Sequence, residues 1–326
     1  MSMQEVEIRE ALRQAIDEEM AKDKTVLLMG EEVAEYDGAY KISKGLLDKY
    51  GPDRIVDTPI SENGFTGLAV GAAMAGLRPV VEYMSWNFSF VAFDQIISNA
   101  IKMHYMSGGR FKVPLVLRGP NGAAAQVSCQ HSHCVEATYS NYPGLIVLAP
   151  STAYDHKGLM KSAIQNNNPV IFLENELLYG IKEEIPKEEF YVPIGKANVA
   201  VEGSQLTIVS HSRMFHFCKQ AVKELAAEGI SCELIDLRTI KPLDLGTIAQ
   251  SVRKTHHLLC VEEGHYFAGI SAEIAFQISE HCFDELDSPV ARLCQKETPM
   301  PYSEHLEKHT IPSVESIKQK VKDLLQ

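Results

Sequence analysis

One carboxylate stands where chemistry could be done. The run Asp57-Thr58-Pro59-Ile60-Ser61-Glu62-Asn63-Gly64 follows a short apolar stretch, Arg54-Ile55-Val56, that reads as a strand. Thr58-Pro59 breaks the strand. Gly64 through Gly76 is built almost wholly from Gly, Ala, Val, Leu and Met, and a helix that apolar is expected to be buried. Glu62 therefore falls at the mouth of a core beside a helix N-terminus. It could merely complement the helix dipole there. A buried acid without a salt-bridge partner is costly, so it more often serves a ligand or a proton transfer.

A second cluster is Ser128-Cys129-Gln130-His131-Ser132-His133-Cys134. Cys129, His131, His133 and Cys134 are zinc ligands by type, but all four fall within six residues, without the two separated ligand pairs zinc sites use. On type and spacing alone, His131 is a polar loop histidine that need carry no role. Arg118-Gly119-Pro120-Asn121-Gly122 is a glycine-rich strand-to-loop turn, but it lacks both the Walker spacing and GxGxxG. It is read as structural or interface-lining. Met84, Trp86 and Phe88 follow a strand at 80–84 and would be plain core on type alone. Gly67 and Gly71, with Ala72, Ala73 and Ala75, permit close packing against another helix.

These residues need a frame. Val26-Leu27-Leu28-Met29, Val80 to Met84, Leu115-Val116-Leu117, Leu145 to Leu148 and Val170 to Leu173 are short apolar runs, mostly separated by helical patterns. Continuous apolar strands alternating with helices predict a parallel sheet covered on both faces. An amphipathic helix is expected from Glu5 to about Lys22. The charged stretch Ile181 to Glu189 breaks the pattern, and the alternation restarts at Leu206-Thr207-Ile208-Val209. The expected fold is α/β, with two doubly wound, mainly parallel-sheet domains: residues 1–185, a linker at 186–203, and residues 204–326.

The 326 residues are 45% hydrophobic and 23% charged, as in ordinary globular proteins. A formal net charge of -12 argues against a nucleic-acid surface, which needs a basic footprint. No apolar run approaches the ~18 residues of a membrane span, and no signal-peptide pattern precedes the first helix. Seven scattered cysteines fit a reducing compartment better than a disulfide framework.

The motifs together carry a resemblance. Tyr36-Asp37-Gly38-Ala39-Tyr40, Asp57 through Glu62, Arg118 through Gly122, Gln130-His131-Ser132, Leu173-Glu174-Asn175-Glu176, Arg238-Thr239-Ile240-Lys241-Pro242 and Met300-Pro301-Tyr302 occur in order along nearly the whole chain. The chain resembles the beta subunits of the thiamine-diphosphate-dependent 2-oxo acid dehydrogenases, a transketolase-like family. The resemblance implies a pyrimidine-binding first domain and a transketolase-like C-terminal domain. It implies that Glu62 shares a proton with a ring nitrogen of the thiamine aminopyrimidine, and that Met84 and Phe88 lie against that ring. Trp86 receives no role. It implies that His131 stands at the site entrance, serving an arriving lipoyl group, and gives His133 no assignment. It matches Leu115, Ala163, Ile164, Asn166 and Asn168 to positions offering oxygens to a structural potassium ion.

The Gly-Asp-Gly element that holds magnesium on the cofactor diphosphate in thiamine enzymes is missing, since Tyr36-Asp37-Gly38 does not supply it. The resemblance therefore implies a cofactor shared with an alpha subunit that holds magnesium, in an alpha2-beta2 heterotetramer serving a lipoyl acetyltransferase core. Pyruvate is the expected substrate. Acetoin and branched-chain 2-oxo acid dehydrogenases are the alternatives, as is a non-catalytic scaffold of the same fold. Neither nucleic acid nor membrane is an expected partner. The expected location is a bacterial cytoplasm, or the mitochondrial matrix for a processed eukaryotic chain.

Overall fold

The structure, a computed structural model, describes residues 2–326. The chain forms two compact units that are not contiguous in sequence: Met1–Asn121, Thr138–Leu148 and Thr152–Ile194 make the first, and Gly122–Ala137, Ala149–Ser151 and Gly195–Gln326 the second.

The strands of the first unit are β1 (Met3–Glu7), β2 (Val26–Gly30), β3 (Ile55–Asp57), β4 (Arg78–Glu82), β5 (Val116–Pro120), β6 (Ile146–Leu148), β7 (Val170–Glu174) and β8 (Lys182–Pro186). Six of them lie in the order β6-β7-β5-β4-β2-β3, every pair parallel. β2, β4, β5 and β7 are buried along nearly their whole length, as strands inside a covered parallel sheet are. The helix Ile8–Lys22 buries Ile8, Leu12, Ile16 and Met20 in the core beside Leu159 and Met160 of the helix Ala153–Gln165.

Two expectations change here. The first helix begins at Ile8 rather than Glu5, because Met3–Glu7 pairs antiparallel with Lys182–Pro186 as a separate two-stranded ribbon. Only Val6 of this strand is buried, so no apolar run marks it. The helix Glu62–Met74 buries Phe65, Thr66, Ala69, Val70 and Ala73, while its other face stays open, with Leu68 62% exposed. It is therefore not enclosed within this chain, as its composition had predicted.

The second unit contributes β9 (Asn198–Val201), β10 (Leu206–Ser210), β11 (Cys232–Asp236), β12 (Thr239–Lys241), β13 (Leu258–His265) and β14 (Ala291–Gln295). Five form a sheet in the order β14-β13-β10-β11-β9. The β10–β11, β10–β13 and β13–β14 pairs are parallel, and β9 closes the edge antiparallel to β11. The span read as a linker thus carries an edge strand, whose Val201 packs on the core built from Leu206, Ile208, Phe215 and Leu234. None of the seven cysteines is in a disulfide. No helix among the described residues is long and apolar enough to cross a membrane.

Candidate active site

In the first unit the chemistry gathers past the carboxyl ends of the parallel strands, where open α/β sheets bind their ligands. β3 ends at Asp57, and Glu62 opens the following helix, nearly buried at 9% exposure. β2 ends at Gly30, and Glu31 follows, also buried. Burial, with the adjacent Glu62 charge, pushes Glu31 up to about 7. Burial and a like charge both favour the neutral form of a carboxyl group, so Glu31 keeps its proton toward neutrality. Glu31 Oε1 is buried and has no hydrogen-bond partner among the described residues. An orphaned buried acceptor of this kind fits a donor supplied from outside the chain.

The sequence builds this pair locally. Asp57 accepts from the Ala34 amide at 2.7 Å and the Glu35 amide at 3.2 Å, which fixes the turn carrying Glu31. The Thr58 amide donates to the Gly30 carbonyl at 2.9 Å. A Cβ on Gly30 would stand 2.5 Å from the Glu82 carbonyl oxygen, so only glycine allows β2 and β4 to meet here. Sequence reasoning missed Glu31. The signal was available, because Gly30-Glu31-Glu32 ends an apolar strand as Asp57 to Glu62 does.

Met84 and Phe88 lie on the segment that follows β4. Met84 offers its carbonyl to the Tyr40 hydroxyl at 3.4 Å. Phe88 lies in the 3-10 segment Trp86–Ala92, half-buried, and Ser85 caps that segment by accepting from the Asn87 amide. Trp86 is plain core: its indole donates to the Phe172 carbonyl at 3.2 Å and packs edge-on against Tyr83 and Tyr139, each at 5.3 Å.

Arg118 proves more than a turn residue. Fully buried on β5, it donates to Glu174 through Nε at 2.6 Å and also bonds Glu82. The Tyr179 hydroxyl adds a bond to Glu174 at 2.6 Å. This triad ties the ends of β4, β5 and β7 together. Burial raises the Glu82 carboxyl, and the Arg118 charge pulls it back.

Four of the five carbonyls matched to a potassium site have protein partners. Leu115 accepts from the Val170 amide at 2.8 Å and Ala163 from the Asn166 amide at 3.1 Å. Ile164 and Asn166 both accept from Arg78 Nη1 at 3.0 Å. The Asn168 amide donates to Asn166 Oδ1 at 2.9 Å. A potassium ion here would share the Ile164 and Asn166 oxygens with the Arg78 guanidinium.

The second unit carries His131 at the end of a 3-10 turn, Cys129–His131, with its side chain exposed. His133 is also exposed, and partial burial with the nearby His265 and His131 holds its imidazole below the usual range. A cleft of about 610 Å³ is lined by residues that include Cys129, His133, Cys134, His265 and Phe267. No group of three or more His, Cys, Asp or Glu side chains among the described residues could hold a metal ion. The structure thus joins Glu62 to Glu31 in one unit and His131 to His133 and His265 in the other.

Residues 4–182 match the transketolase pyrimidine binding domain, and residues 195–317 the transketolase C-terminal domain. The chain is 55% identical to the mitochondrial pyruvate dehydrogenase E1 component subunit beta-1 of Oryza sativa, over 96% of this chain and 85% of that protein. It is 52% identical to the pyruvate dehydrogenase E1 component subunit beta of Rickettsia felis, over 98% of each. The mitochondrial counterpart in Caenorhabditis elegans is 54% identical over 98% of this chain and 92% of its own. Among solved structures, the fold matches a split-gene transketolase in an inactive beta4 tetramer, with a TM-score of 0.81 at 21% identity over 98% of both chains. The chain belongs to the transketolase-like family, among its pyruvate dehydrogenase E1 component beta subunits.

Proposed function

We propose that this chain is the beta subunit of a pyruvate dehydrogenase decarboxylating component, active only when paired with an alpha subunit. Pyruvate loses carbon dioxide, and the remaining two-carbon unit passes as acetyl to a lipoyl group. Thiamine diphosphate, when bound, supplies the carbon centre on which decarboxylation runs. The observation that carries this reading is the buried Glu31–Glu62 pair with its unpartnered oxygen.

This chain's residues hold and move protons at that site. Glu62 offers its carboxyl to a ring nitrogen of the aminopyrimidine. Glu31, pushed up to about 7, keeps a proton within reach of Glu62 at the pH where the enzyme works. Met84 and Phe88 give the ring an apolar surface that does not compete for its hydrogen bonds. His131 serves the lipoyl group, donating a proton or binding an oxyanion. Magnesium and the diphosphate fall to the alpha subunit, since the Gly-Asp-Gly element is missing here. The open, small-residue face of the helix Glu62–Met74 suits burial against another chain.

Glu62→Gln tests the assignment. The amide keeps the shape but cannot share a proton as a carboxyl does. Activity of the assembled enzyme should fall roughly 100- to 10,000-fold with assembly intact. A variant within a few-fold of the unmodified enzyme would refute the role.

A further inference from the structure

The loop that carries His131 is held by glutamates. Gly122–Val135 contains no strand and only the short turn Cys129–His131, so its amides have no ladder partners. Two of them are met by carboxylates of the same unit. The Ala123 amide donates to Glu263 Oε1 at 2.6 Å, and the Gln126 amide donates to Glu307 Oε2 at 2.9 Å. Glu263 lies on β13, buried, with Arg213 Nη1 at 3.6 Å. Glu307 lies on the helix Glu304–Thr310, also buried.

The backbone is shaped to these contacts. Gly122 takes a φ of +82°, and an added Cβ would stand 3.1 Å from Glu263 Oε1. Gln126 and Ser128 adopt φ of 59° and 62°, a region that side chains other than glycine rarely enter. Inside the loop, the Gly122 amide donates to the His133 carbonyl at 2.9 Å and the Ser132 hydroxyl to the Ser128 carbonyl at 2.7 Å, so the segment closes on itself around His131. Just past it, Glu136 pairs with His211 Nε2 at 3.6 Å, both buried. Amide–carboxylate bonds are about twice as strong as neutral ones. A buried carboxylate is also costly where a neutral acceptor would serve. That expense is understandable if the loop has to be rigid.

We propose that Glu263 and Glu307 are positioning residues, which clamp the loop Gly122–Val135 and thereby fix the imidazole of His131 for acyl transfer to the lipoyl group. The clamp stands on its own geometry, whereas its consequence for transfer rests on the function proposed above.

The test uses the full chain assembled with its alpha subunit. Amide hydrogen exchange across 122–135 is measured beside lipoyl transfer and cofactor C2-proton exchange in Glu307→Ala, Glu307→Gln and Glu263→Ala. Glu307→Ala should speed exchange in the loop by about tenfold or more. It should slow lipoyl transfer roughly tenfold to a hundredfold, as small misplacements of reacting groups do, with C2-proton exchange unchanged. Glu307→Gln keeps an acceptor oxygen and should restore both quantities toward the unmodified enzyme. If Glu307→Ala does not fold, the decision falls to Glu263→Ala, whose expected loss of protection centres on Ala123. Unchanged loop exchange, equal loss of both chemical readouts, or no rescue by glutamine would overturn the proposal. An unmodified enzyme that fails to transfer to a lipoyl group would overturn the proposed function, while loop exchange would still decide the clamp.

Discussion

At the scale of residues, the site turns on how two carboxyl groups share a space meant for one charge. Glu62 is legible in the sequence, because Thr58-Pro59 and the small-residue helix bracket it. Glu31 is legible only as a strand-end acid, since its pairing with Glu62 is a contact between turns after two different strands. The pair has a measurable signature. Burial and Glu62 raise Glu31 to about 7 from an ordinary value of 4.5. Between those values the folded chain holds a proton that the unfolded chain has released. The stability this group contributes is full below about 4.5 and is lost as pH rises through about 7. Glu31→Gln removes the ionisation. Its melting temperature relative to the unmodified chain should therefore rise progressively between about pH 5 and about pH 8. Parallel melting curves across that range would show that Glu31 is not protonated against Glu62.

At the scale of elements, the central strands read directly from the sequence. β2, β4, β5 and β7 are buried along nearly their whole length, and each carries a short apolar run. β1 and β9 escaped for the opposite reason. Each is an edge strand that buries little, and each forms by pairing with a distant segment. The same holds for the loop 122–135, whose partners Glu263 and Glu307 lie far along the chain. The strand ends also hide a buried charge triad that no local pattern announces. Arg118 sits between Glu82 and Glu174 with all three buried. Arg118→Met should fit the space but leave two carboxylates without their cation. A loss of about 3–5 kcal/mol in urea unfolding is expected. A loss under ~1 kcal/mol would mean that the carboxylates are compensated by other groups.

At the scale of the whole molecule, the chain carries one half of the site's requirements. On the function proposed above, it supplies Glu62, the ring surface of Met84 and Phe88, and His131, while the Gly-Asp-Gly element is missing from its sequence. The open face of the helix Glu62–Met74, with Leu68 exposed, is the kind of surface a second chain covers. The most direct measurement is carbon dioxide release from pyruvate and from a branched-chain 2-oxo acid, with thiamine diphosphate and magnesium, by the isolated chain and by the chain co-expressed with its alpha subunit. Calorimetry of cofactor binding is run on both preparations. The expected result is weak binding and no turnover for the isolated chain, and tight binding with turnover preferring pyruvate for the pair. Tight binding with turnover by the isolated chain, or a pair that does not decarboxylate pyruvate, would contradict a pyruvate site shared between two chains.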